Sequence, residues 1–128
     1  MQRQTVSSGS PFEGEIGFSR AVRVGPHVSV AGTAPIGADG KLAGEGDVYR
    51  QTQRCLEIIT QALEGAGASL EHVVRTRVML TDISQWREAG RAHGEVFGHI
   101  RPACTFVEVK GFIDPLWLVE LEADAVVP

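Results

Sequence analysis

Apolar and polar residues alternate through FSRAVRVG (residues 18–25) and again through HVSVAGTAP (27–35). A period of two is the mark of a half-buried strand, and Gly25-Pro26 between the two runs is a tight-turn pair, so the pattern predicts a β-hairpin. The next segment, IGADGKLAGEG (36–46), is a glycine-rich loop with the turn dipeptide Asp39-Gly40. From Asp47, a residue type that caps helices, Val48, Cys55, Ile58, Ile59, Ala62 and Ala66 recur at helical spacing until Gly65–Gly67 ends the run. Alternation returns in HVVRTRVML (72–80), with Val74, Thr76, Val78 and Leu80 on one side and Val73, Arg75, Arg77 and Met79 on the other. Asp82 and Gln85 have the spacing of a capping box. Ile83, Trp86, Ala89, Gly90, His93, Val96 and Phe97 then form an apolar stripe that predicts a second helix up to Gly98. ACTFVEV (103–109) and LWLVELEADAVV (116–127) predict two further strands, joined by KGFIDP (110–115).

The predicted order is β-β-α-β-α-β-β. Two helices, each with one apolar stripe and each following a strand, pack on the same face of one mixed sheet in a two-layer α+β domain. The other sheet face is not uniformly polar, which favours a symmetric oligomer that covers it. Residues 1–128 are expected to form a single domain, with the polar residues 1–15 as a leader.

Composition narrows the function classes. With 43% hydrophobic and 22% charged residues, the chain has the make-up of a globular protein and not of a disordered one. Lys and Arg number 12 against 16 Asp and Glu, and a net charge of −4 gives nucleic acid little electrostatic reason to bind. No run is long and apolar enough to cross a bilayer, and MQRQTVSSGS lacks the apolar stretch of a signal peptide, so the expected location is cytoplasmic with no membrane partner. Cys55 and Cys104, too few for a disulfide framework, are expected to be buried free thiols. The four histidines show no metal-ligand spacing, so no metal is implied.

In this order, IGFSRAVRVG (16–25), VAGTAP (30–35), QTQRCLEIITQALEGAGASLEHVVRTRVMLTD (51–82), RPA (101–103) and VELEADAVV (119–127) make the chain resemble the RidA/YjgF (Rid) proteins, from about Ile16 to Val127. The resemblance implies a chorismate-mutase-like fold and a homotrimer with an inner β-barrel, outer helices and a small-metabolite cleft at each subunit interface. It also implies hydrolysis of reactive enamines and imines to keto acids and ammonia without a bound cofactor.

The family's substrate-clamping arginine closes an Arg-Pro-Ala-Arg run, and here Cys104 stands in its place. A thiol offers neither the charge nor the bidentate fork of a guanidinium. Phe18 stands where the family carries a tyrosine, Arg20 where it commonly carries glutamine, and Glu120 matches the glutamate that positions the hydrolytic water. Gly32 and Thr33 match the cleft-lining turn. The expected site is therefore Glu120 as the catalytic group with Phe18, Arg20, Gly32, Thr33, Arg101 and Cys104 as ligand contacts.

Each residue also has a plainer reading. Cys104 fits a small strand filler, a cleft residue or, least well, a nucleophile, because His99 is the only histidine nearby in sequence. Glu120, Glu122 and Asp124 fit a salt-bridged face opposite Arg75 and Arg77. Arg101, biased to extended backbone by Pro102, fits a surface ion pair, and His93 fits a satisfied core or interface histidine. Three functional readings follow: a Rid-type cleft with weakened imine hydrolysis, a hydrolase for a different, non-carboxylate substrate, and a non-enzymatic ligand-binding or stress-related protein, with RNA cleavage disfavoured.

Overall fold

The computed structural model describes residues 1–128. Six strands form one sheet: β1 (Arg3–Val6), β2 (Ala21–Val24), β3 (His27–Thr33), β4 (Val73–Leu80), β5 (Ala103–Glu108) and β6 (Val119–Val126). Their spatial order is β1-β2-β3-β6-β4-β5, antiparallel throughout except for the parallel β4–β5 pair. Helices α1 (Val48–Gly65) and α2 (Trp86–Phe97) form the second layer, as the sequence pattern predicts. No helix is long and apolar enough to cross a membrane.

Asp47 caps α1 by accepting the Arg50 N–H at 3.0 Å. The helix buries Val48, Cys55, Leu56, Ile59, Ala62 and Leu63 in a core shared with Val28, Val30, Val78, Leu121 and Ala123 of the sheet. Gln51, also fully buried, donates to the Gly44 and Leu116 carbonyls and accepts from Leu118 N–H. The amide thus ties two loops to the helix while leaving none of those groups unpaired.

Several elements differ from expectation. The leader contains β1, which pairs with β2 in the register Arg3↔Val24 to Val6↔Ala21. Along β4, Val73 is buried and Val74 is 48% exposed, because one extra residue bulges out between Val73 and Arg75 and shifts the register. The Asp82 side chain caps a short turn by accepting from Ser84 and not from Gln85, so α2 starts only at Trp86. Ile83 and Trp86 consequently lie outside the core.

Arg101 is not extended but left-handed, with φ 57°. Its N–H donates to the Phe97 carbonyl at 2.8 Å, so closing the chain behind α2 overrides the preference imposed by Pro102.

Cys104 is exposed, whereas Cys55 is buried, and both are free thiols. The reason is position: β5 is an edge strand, and Cys104 lies two residues ahead of Phe106, the β5 side chain that packs on the core.

Candidate functional site

On the sheet face away from the helices, paired residues line up in rows. Val24, His27 and Val126 form one. Val22, Ser29, Asp124 and Arg75 form the next, with Ser29 donating to Asp124 at 3.0 Å. Glu122 stands opposite Arg77 and is ion-paired to it, as expected for a charged face. Glu120 begins the last row beside Met79 and Val107. The middle of this face is charged and its ends carry apolar side chains.

Glu120 differs from its neighbours in being next to a second bulge. Val30 pairs with Ala123 and Thr33 with Leu121, so Ala31 and Gly32 together oppose Glu122. The extra residue brings Gly32 against the Glu120 carboxylate, where a Cβ on Gly32 would stand 3.0 Å from Oε1. Burial raises the Glu120 carboxyl above its ordinary range; the positive charge of Arg20 opposes this and Glu122 adds to it.

Arg20 enters from the end of the loop before β2. Its guanidinium donates to the Gly32 carbonyl at 2.6 Å and to Thr33 Oγ1 at 3.1 Å, and lies 5.6 Å from the centre of the Phe18 ring. Thr33 passes its own proton to the Ala31 carbonyl at 2.7 Å. Five of the seven residues expected at the site, Phe18, Arg20, Gly32, Thr33 and Glu120, therefore meet at one end of the sheet.

Arg101 and Cys104 are not among them. Thr76 pairs with Cys104 and with Ala123, placing Cys104 two strands from β6 and in the row of Ala123, three residues along from Glu120. It also faces the other way: Thr76 and Phe106 mark the helix side of the sheet, whereas Glu120 and Met79 mark the open side. Within one chain, Cys104 and Glu120 cannot line the same cleft.

Helix-side partners of this region were not visible in the sequence. His93 Nε2 lies 2.8 Å from Thr76 Oγ1, and its ring packs on Phe97 at 4.7 Å and toward Phe106 at 6.4 Å. It is a satisfied, half-buried histidine, whose basicity burial lowers. At the other end, Ser7 and Ser8 hydrogen-bond to Glu13 in the loop leading to Phe18. The Ser-Ser pair and Glu13 are the only sequence signal for that arrangement. A surface hollow of about 410 Å³ lies elsewhere, among Met1–Gln4, Arg23 and Gly25, and its lining carries no carboxylate.

Residues 10–127 match the family described as Endoribonuclease L-PSP. The uncharacterized protein SCO2049 of Streptomyces coelicolor is 44% identical over 120 residues, which cover 94% of this chain and 89% of that protein. The RutC family protein PYRAB12510 of Pyrococcus abyssi is 38% identical over 108 residues, 84% of each chain. Among solved structures, Rv2704 of Mycobacterium tuberculosis, a member of the YjgF/YER057c/UK114 family, has a TM-score of 0.89 at 52% identity, covering 98% of this chain and 100% of its own. Sequence profile, relatives and fold agree, and the chain belongs to the RidA/YjgF family.

Proposed function

We propose that this chain assembles as a homotrimer with small-metabolite clefts between subunits, in which Glu120 directs water at a reactive imine or a related small molecule. The observation that carries this reading is the Glu120 carboxylate, half-buried against Gly32 and held near the Arg20 guanidinium. A carboxylate with a raised pKa is a better general base near neutral pH than an ordinary one. It takes a proton from water as the oxygen adds to the imine carbon. It returns that proton to the imine nitrogen, then carries the hydroxyl proton of the carbinolamine to the same nitrogen as the C–N bond breaks, leaving a carbonyl and ammonia.

The opposite facing of Cys104 and Glu120 supports an interface cleft, since a second copy is required to bring a β5 edge to the Glu120 side. Exposed Val24, Val74 and Val126, together with the unpaired outer edge of β5, supply surface for such an assembly.

Cys104 in the arginine's place weakens capture of substrates with a carboxylate. A charge-assisted hydrogen bond of this kind contributes about 1.5–3 kcal/mol, roughly ten- to hundredfold in affinity. Turnover of 2-aminoacrylate is therefore expected to be slow in the wild type, to rise in Cys104→Arg and to fall again when Glu120→Gln is added. Wild-type turnover equal to that of an arginine-bearing relative would refute the loss. Phe18 and the uncharged Cys104 also favour a second reading, hydrolysis of a substrate without a carboxylate, and a Cys104→Arg variant with no gain on imino acids would favour it over the first. An RNA substrate draws no support from a net charge of −4.

A further inference from the structure

Arg20 is only 9% exposed, yet it belongs to none of the four ion pairs of the structure, which join Arg50 and Arg54 to Glu57, Arg77 to Glu122, and Arg91 to Glu88. The hydrogen bonds of its side chain all leave from one terminal nitrogen, to Gly32 and Thr33. Nε and the second terminal nitrogen meet no protein acceptor, and neither is sealed from the exterior. A guanidinium stays charged; Glu13 and Glu120 act on it only at a distance, without a direct ion pair, so the free edge of Arg20 is open to an anion.

Arg20 is among the residues lining a cavity of about 80 Å³ between the loop after β1 and helix α1. Ser7, Ser8 and Gln61 supply its other polar walls, and Val6 and Ile58 its apolar ones. The loop is already organised around an oxyanion: Ser7 Oγ, Ser8 N and Ser8 Oγ donate to the Glu13 carboxylate at 2.8, 2.9 and 2.7 Å. Burial alone would raise the Glu13 carboxyl, but these bonds outweigh it and hold it below its ordinary range.

We propose that this cavity binds a single phosphate-class oxyanion, which takes the free edge of Arg20 and turns the Ser7 and Ser8 hydroxyls away from Glu13. Donors approach from two walls, the loop and the strand end, which suits a tetrahedral anion better than a planar carboxylate. The volume is far below the roughly 300–1,000 Å³ of sites for larger ligands, so the ligand is a free ion or the end group of a longer molecule. Neither Glu120, Gly32 nor Cys104 lines the cavity; Arg20 is shared with the Glu120 site, and anion binding is read by titration, separately from turnover.

The test is calorimetric titration of the full chain with inorganic phosphate, glycerol phosphate and acetate, against sodium chloride at equal ionic strength. Saturable binding of either phosphate is expected, with a matching rise in melting temperature, and the tighter of the two names the source. Arg20→Gln should weaken it at least tenfold, and Glu13→Gln, which removes the competing charge, should tighten it several-fold. No saturation at millimolar phosphate, equal binding by Arg20→Gln, or acetate binding as tightly as phosphate overturns the proposal. If Arg20→Gln fails to fold, the Nε–H resonance of Arg20 in the wild type decides. It should shift on phosphate addition, and an unmoved resonance overturns the site.

Discussion

Single atoms set the properties of the Glu120 end of the sheet. Gly32 lets the carboxylate sit close there: a methyl group would press on Glu120 Oε1 and on no other atom within 4 Å. The Gly32→Ala variant is therefore expected to fold normally while pushing the Glu120 carboxylate outward into water. Its titration midpoint, followed by carboxyl-carbon NMR, should fall from the raised wild-type position toward the ordinary carboxylate range, because burial is the largest cause of the shift. An unchanged midpoint would show that Gly32 does not hold the carboxylate in place. Arg101 stores strain of a different kind, since a left-handed non-glycine residue costs about 1–2 kcal/mol, which the closure onto Phe97 offsets.

Helix α2 is tied to the sheet through the contact between His93 and Thr76. The ordinary histidine value is 6.5, and burial holds His93 below it in the folded chain. The unfolded chain then binds a proton that the folded chain refuses. The stabilising contribution is complete above about pH 6.5 and is lost as pH falls through the window down to the folded value. His93→Gln keeps a hydrogen-bonding partner for Thr76 without the titration. Its drop in melting temperature between about pH 7 and about pH 5 should be smaller than that of the wild type. Equal drops would assign the acid sensitivity to other groups.

Most of these elements are legible as periodicity: the β2–β3 hairpin, α1, α2 from Ala89 onward and β6 follow their alternation or stripe. β1 is not, because RQTV is short and polar and pairs with β2 only across a long loop. The two bulges escaped for the same physical reason: an inserted residue is specified by the partner strand, so Val74 and Gly32 look ordinary in sequence. The residue type of Cys104 predicts burial, but an edge strand leaves it open. The likeness of motifs led to Glu120, Gly32 and Arg20, while their contacts needed the fold.

At the scale of the molecule, the sheet is a partition. One side carries Glu120 and the charged rows, and the other carries the helices and the Cys104 side of β5. Any chemistry that needs both positions is then a property of two chains and not of one. The wild-type chain has the glutamate without the arginine, and a chain carrying both Cys104→Arg and Glu120→Gln has the arginine without the glutamate. Refolded together, these two poorly active proteins should, under the proposed assembly, yield mixed oligomers that hydrolyse 2-aminoacrylate faster than either alone, with the excess vanishing when the preparations are mixed after assembly. No excess in the co-refolded sample would mean that the two positions never share a cleft. In a cell expressing both alleles, each defect would be masked by the other: complementation within a single locus, imposed by which way two strands face.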